Sequence, residues 1–111
     1  MDKIIDFHTH CFADDLADRA IATLSAETNE VSPCLDGRVS SLLKSMDQAG
    51  IEKSVICSIA TKPKQYQGIL KWSAQITSDR IIPLPSIHPD EPDNVSQLDE
   101  IKSKGFTGIK M

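Results

Sequence analysis

The sequence predicts an α/β fold built on a parallel β-sheet. Short apolar segments that suit strands alternate with longer amphipathic segments that suit helices along the whole chain. The later strand candidates are spaced by the roughly 30 residues of a right-handed βαβ unit. The first strand candidate ends in two histidines, and chemistry at carboxyl strand ends is typical of (βα)₈ barrels. Because no glycine-rich phosphate loop follows that strand, a nucleotide-binding doubly wound sheet is disfavoured.

The first element, residues 3–10, is an apolar run that ends in His8-Thr9-His10. Alternate side chains of a strand share a face, so His8 and His10 should project together, with Asp6 one step deeper on that face. Their Cβ atoms would lie roughly 6.5 Å apart, which lets both rings reach one ion at about 2.0–2.1 Å. We therefore expect a buried strand that carries two metal ligands, with Asp6 orienting one of them. The alternative for His8 and His10 is that they are strand-end residues bonded to loops, and the alternative for Asp6 is a buried acid paired with another residue.

The next segments continue the alternation of helix and strand. Residues 12–24 carry apolar side chains at helical spacing, and residues 27–33 are polar and predicted to form a loop. Asp36 is the expected N-cap of a second helix, which should end at Gly50. Residues 53–59 are almost continuously apolar, as in a parallel strand that is covered on both faces.

A third helix is predicted over residues 63–77, with Pro63 in its first turn. The strand predicted over residues 81–87 contains Pro83 and Pro85, and proline usually disqualifies an interior strand. Because these two prolines are two residues apart, their nitrogens, which lack N–H groups, point toward the same side of the strand. The other edge of this strand can therefore still pair fully.

The last segments predict a turn, a helix and the start of a fourth strand. Residues 88–92 suit the turn, and Asp93 should cap the helix. Gly105 should end that helix, and residues 106–111 should begin the strand. This helix would carry the apolar residues Val95, Leu98 and Ile101.

Composition narrows the class of protein. The 111 residues suit a single domain or part of one, with 40% hydrophobic and 25% charged residues. A net charge of −4 without a basic stripe disfavours nucleic acid as a partner. No apolar run approaches membrane-spanning length, and no signal peptide precedes the first strand. Cys11, Cys34 and Cys57 are widely spaced and expected to be reduced, which indicates a cytoplasmic protein.

Three segments of the chain resemble the amidohydrolase superfamily, and in particular its amidohydrolase-related branch of hydrolases and metal-dependent decarboxylases. They are Ile4-Ile5-Asp6-Phe7-His8-Thr9-His10, Ser86-Ile87-His88-Pro89-Asp90-Glu91-Pro92-Asp93 and Gly105-Phe106-Thr107-Gly108-Ile109-Lys110. The resemblance implies that residues 1–111 form the amino-terminal part, about three and a half βα units, of a (βα)₈ TIM barrel of metal-dependent hydrolase type.

The resemblance also implies a site. His8 and His10 would be the first two ligands of a divalent metal ion, and the remaining ligands and a catalytic aspartate would lie on later strands outside this chain. Zinc is expected from histidine ligation, although manganese, iron or nickel also suits such a site. The reaction would be attack of a metal-activated water on a small polar substrate such as an amide, ester or lactone. The chain alone is expected to be inactive.

Several interpretations stay open at this point. Lys110 is expected to contact substrate or solvent, whereas some branches of the superfamily use a carboxylated lysine there as a bridging ligand. The parent enzyme could instead be a decarboxylase of the same branch, or a metal-dependent phosphoesterase or nuclease. The second class of function is non-catalytic: an α/β domain that binds a metal or a partner through a sheet edge. A homo-oligomer is also possible. We expect His88 to stabilise a turn, Cys11 to be inert and Trp72 to pack in the core.

Overall fold

Three parallel strands form the sheet of the computed structural model, which describes residues 2–27 and 32–111. Their order in the sheet is the order in the chain: β1 (Ile5–Thr9), β2 (Lys53–Cys57) and β3 (Ile81–Leu84). The predicted parallel α/β architecture is confirmed. The predicted fourth strand is not: Lys110 forms one isolated parallel bridge with Ser86, in which its N–H donates to the Pro85 carbonyl at 2.9 Å. A single bridge fixes too few residues for a strand.

Four α-helices complete the described part of the chain: α1 (Ala17–Ala26), α2 (Val39–Ala49), α3 (Tyr66–Ile76) and α4 (Asn94–Ser103). Two of them lie between β1 and β2, as the length of that connection predicts. A short 3₁₀ turn, Pro63–Gln65, leads into α3, so the proline occupies the first turn as expected. None of these helices combines the length and apolar character that crossing a membrane requires.

The helix boundaries differ from the predicted ones at two places. Residues 12–16 precede α1 as irregular chain and a turn, in which the Leu16 N–H donates to the Ala13 carbonyl. Asp36 does not cap α2, because the helix begins at Val39 and Arg38 occupies the N-cap position; the Asp36 Oδ1 instead accepts the N–H of Arg38. Gly50 ends α2 in the left-handed conformation, as predicted. Of the predicted loop over residues 27–33, residues 28–31 lie outside the described residues.

The core lies between the sheet and its helices. Met46, Ile56 and Ile81 are at most 1% exposed, and Trp72 packs against this cluster as expected. A second cluster joins α3 and α4 and contains Tyr66, Leu70, Ile87 and Ile101. Strand β2 is buried from Ser54 to Cys57, which confirms the prediction of a strand covered on both faces.

The two prolines of the third strand segment occupy the positions that their parity predicts. Leu84 offers its carbonyl to the N–H of Ser58 on the β2 side, at 3.3 Å. Pro85 offers its carbonyl to the opposite side, where Lys110 donates. Because Pro83 and Pro85 share that outward parity, their missing N–H groups cost the β2–β3 ladder nothing. The register of β3 against β2 is continuous from Ser54–Ile81 to Cys57–Leu84.

The predicted burial of the first strand is wrong, and the last helix buries only part of its apolar residues. Strand β1 is not buried: Ile5 is 43% and Phe7 is 73% exposed, since β1 is an edge strand of the described sheet and has β2 as its neighbour on one side. On α4, Val95 is 69% and Leu98 is 42% exposed, whereas Ile101 is buried. Helix α4 therefore contacts the core through a narrower stripe than its sequence suggests.

Candidate metal centre

A bulge in β1 determines which way its polar residues face. Asp6 pairs with Ser54 and Thr9 pairs with Ile56, so three residue steps of β1 (6 to 9) match two steps of β2 (54 to 56). Such an extra residue bends a strand and changes the face that the following side chains take. Beyond the bulge, the Thr9 hydroxyl donates to the Val55 carbonyl at 2.8 Å and holds the end of β1 against β2.

The bulge separates Asp6 from the histidine face. Ser54 and Ile56 share one face of β2, so their partners Asp6 and Thr9 share it too, and His8 and His10 flank Thr9 on the other face. The Asp6 carboxylate accepts the backbone N–H of His8 at 3.2 Å and does not bond to either ring. The expectation that Asp6 lies beneath the histidines and orients one of them is therefore wrong.

His8 and His10 lie side by side, as their spacing predicts. Their Nε2 atoms are 3.2 Å apart, and the ring centroids are 4.9 Å apart with the ring planes at 73°. The Nδ1 atom of His10 lies 2.8 Å from the carbonyl oxygen of Cys57, at the end of β2. A carbonyl only accepts, so the proton of neutral His10 resides on Nδ1 and its Nε2 carries a lone pair.

This geometry suits a shared cation. Two nitrogens that each lie about 2.05 Å from a tetrahedral ion are about 3.3 Å apart, close to the separation found here. A hydrogen bond from His10 Nδ1 to a backbone carbonyl is also the usual way in which proteins orient a ligating imidazole. The competing explanation is a direct N–H···N bond from His8 to His10, which requires the same pair of atoms. The metal test below separates the two.

The described residues provide the pair and no third ligand beside it. Within residues 2–27 and 32–111, no three histidine, cysteine, aspartate or glutamate side chains converge in a way that could hold an ion. Cys11 follows the pair directly but is 5% exposed, and burial, with the negative charge of Asp36, raises the pKa of its thiol to about 11. At neutral pH this thiol stays protonated, which favours the expected inertness of Cys11.

The other candidate residues lie apart from the pair. Lys110 bridges to the segment beyond β3, three strand spacings or about 14 Å from β1. Its Nζ donates to the carbonyl oxygen of Met111 at 2.7 Å. His88 serves the turn after β3, where its Nδ1 accepts the N–H of Asp90 at 3.1 Å, as expected for a structural role.

Sequence reasoning missed two features of this centre. The bulge leaves no trace in residue type, because Phe7, His8 and Thr9 would suit a regular strand equally well. The carbonyl that orients His10 belongs to the backbone of β2, 47 residues away along the chain. Only the prediction that β1 and β2 are parallel neighbours could have indicated that a β2 carbonyl would be available there.

No family model and no curated protein matches the chain. Among solved structures, the chain is similar to a probable 2-pyrone-4,6-dicarboxylic acid hydrolase from Acinetobacter baumannii, crystallised with citric acid bound, with a TM-score of 0.58 and 20% sequence identity. The match covers 99% of this chain and 38% of that one, so the chain spans little more than a third of the neighbour's length. At this identity the likeness establishes a shared fold over that length.

Proposed function

We propose that the chain is the amino-terminal part of a metal-dependent hydrolase of the amidohydrolase superfamily, with a (βα)₈ barrel in the complete enzyme. The observation that carries the proposal is the histidine pair, whose Nε2 atoms are 3.2 Å apart while His10 Nδ1 is held by a β2 carbonyl. The fold likeness to a probable hydrolase supports it, since that chain extends well beyond the part that matches. His8 and His10 would hold a divalent ion, most simply zinc.

A bound divalent ion supplies Lewis acidity toward a water molecule and a substrate oxygen. His10 would present Nε2 with its lone pair outward, because the Cys57 carbonyl keeps the proton on Nδ1. His8 would offer its own Nε2 at the matching distance. The substrate would be a small polar molecule such as an ester, amide or lactone, and Lys110 would contact its more distant end.

The test is a zinc titration of the chain, followed calorimetrically and by the ring-nitrogen NMR signals of the histidines. Zinc should shift the Nε2 signals of His8 and His10. Each of His8→Ala and His10→Ala should weaken binding by about 10–100-fold or more, since even the loss of an orienting partner of a ligand costs that much.

The matched control is His88→Ala, which removes the third histidine of the chain from a turn on another element. It should bind zinc as the unmodified chain does. If all three variants bind zinc equally, the 3.2 Å contact is a hydrogen bond between the rings and the proposed ligands are wrong.

A second candidate is a non-catalytic domain that binds a partner or a second copy through β1. The exposure of Phe7, at 73%, together with its neighbour Ile5 on the edge strand, favours it. Sedimentation of Phe7→Ser against the unmodified chain tests this candidate. If the chain associates, Phe7→Ser abolishes that association and the chain does not bind zinc, the non-catalytic candidate is favoured.

A further inference from the structure

A cavity of about 250 Å³ opens beside His10, between the segment that follows β1 and the loop that leads into α2. Apolar side chains from α1, the loop and α2 form much of its wall: Ile21, Pro33, Leu35 and Leu42. An enclosed apolar cavity of about 150 Å³ accommodates a benzene ring, so this open one has the volume for a substituted ring. Its position makes it the space next to the proposed metal centre that a substrate side group could enter.

The guanidinium of Arg38, which lies on this wall, is already neutralised. Arg38 donates to Asp18 Oδ1 at 3.0 Å, to Asp36 Oδ2 at 3.3 Å and to the Asp14 carbonyl at 3.2 Å. Two carboxylates therefore compensate its charge, and its Nη1 and Nη2 groups both donate hydrogen bonds. The chain as a whole carries a net charge of −4. Among the described residues that line the cavity, no unpaired guanidinium or ammonium group thus faces a carboxylate or phosphate.

The loop that leads into α2 is packed in place at Gly37. The Gly37 carbonyl accepts the N–H of Phe12 at 2.8 Å, and Gly37 is buried at φ +82°. A Cβ at this position would lie 3.0 Å from Ile21 Cγ1 and 3.2 Å from Phe12 Cδ2. The shape of the cavity is therefore set by close contacts between the loop and the segment that follows β1.

We propose that this cavity binds a neutral, ring-sized apolar group, and that it thereby selects substrates with such a group beside the bond that reacts at the histidine pair. The substrate class rests on the proposed function, whereas the binding itself does not. Neutral rings should bind better than their anionic counterparts, because the wall is apolar and Arg38 is already paired.

Cys34 at the cavity provides the readout. It is exposed, whereas Cys11 and Cys57 are buried, so iodoacetamide should modify Cys34 first. The probes are benzyl alcohol and benzoate, each added to the metal-free chain in the presence of a chelator. A ligand of this size binds with a dissociation constant on the order of 10 mM. At about twice that concentration, benzyl alcohol should slow alkylation of Cys34 about threefold by mass action, and benzoate clearly less.

Two exposed leucines give a matched pair of variants. Leu35 lines the cavity and is 44% exposed. Leu98 on α4 is similarly exposed, at 42%, but does not line the cavity. Leu35→Glu should abolish the protection by benzyl alcohol, measured as the ratio of rates without and with ligand in the same variant. Leu98→Glu should keep it. Because both positions are partly exposed, neither change should unfold the chain.

The outcomes separate the two proposals. If benzyl alcohol does not protect Cys34, or if Leu98→Glu abolishes the protection as Leu35→Glu does, the cavity does not bind such groups. Stronger protection by benzoate would mean that the Arg38 guanidinium is available, and would overturn the inference. Protection by benzyl alcohol in a chain that fails the zinc titration would support the cavity and refute the proposed function.

Discussion

Gly37 is the position at which the structure makes the sharpest prediction about stability. It adopts φ +82° in the loop before α2, and its missing Cβ leaves room for Ile21 and Phe12. Gly50 has a similar φ, +72°, but nothing lies within 4 Å of the Cβ that alanine would add there. Gly37→Ala and Gly50→Ala therefore share the backbone strain and differ in the crowding.

The expected magnitudes follow from that difference. A left-handed backbone conformation costs a non-glycine residue about 1–2 kcal/mol. Alanine also lowers the entropy of the unfolded chain relative to glycine, which offsets about 0.4–1 kcal/mol of that cost. Gly50→Ala should therefore lower the free energy of unfolding by about 1 kcal/mol. Gly37→Ala adds overpacking against Ile21 and Phe12, which costs about 1–3 kcal/mol. Gly37→Ala should therefore lower the free energy of unfolding by about 2–4 kcal/mol.

Urea unfolding measures both, with the fluorescence of Trp72 as the probe. Trp72 is the single tryptophan and packs against the core cluster, so unfolding changes its environment. The two variants should share the slope of the unfolding free energy against urea and differ in midpoint. If their unfolding free energies agree within about 0.5 kcal/mol, the contact with Ile21 is not tight and the argument from crowding fails.

Three further predictions concern side chains outside the loop. Tyr66→Phe should lower the free energy of unfolding by about 1–2 kcal/mol, because the buried hydroxyl donates to Glu100 Oε1 at 2.5 Å; an unchanged urea midpoint would contradict this. The Arg38 guanidinium holds the pKa of Asp18 below its ordinary value, so the native state binds fewer protons there than the unfolded state. The stability from this pair should be present above about pH 4 and lost as pH falls through the native pKa, and Asp18→Asn should flatten the acid side of a plot of urea midpoint against pH. Cys11, whose thiol pKa is raised to about 11, should resist iodoacetamide at about pH 8 until urea unfolds the chain, and mass spectrometry of the peptides checks this.

The order of the elements could be predicted because it depends on local signals. Gly50 ends α2 through its own backbone freedom, and the parity of Pro83 and Pro85 fixes which edge of β3 can pair. Exposure could not be predicted in the same way. Phe7 suits a buried strand by residue type, but whether it is buried depends on which elements lie beside β1 in space. The same reason explains the exposure of Val95 on α4.

The histidine pair depends partly on local sequence and partly on the arrangement of the sheet. The spacing of His8 and His10 predicts that they share a face, and the structure adds that a bulge decides which face it is. The prediction for Asp6 fails for this reason, since counting by twos from His8 assumes a regular strand. A bulge of one residue changes the face of every polar group beyond it, and the sequence carries no residue that demands it here.

The orientation of His10 depends on the sheet rather than on the loops around the site. Its Nδ1 is held by the carbonyl of Cys57, at the end of the buried central strand β2. The beginning of β2 is held in turn by Arg80, whose guanidinium donates to the carbonyls of Ile51 and Glu52 at 2.9 and 3.2 Å. A backbone carbonyl on a strand with a neighbour on each side is held by the sheet, so we expect it to orient the lone pair of His10 Nε2 before any ligand binds. The position of His10 Nδ1 therefore depends on the backbone of β2, which residues outside the surrounding loops hold in place.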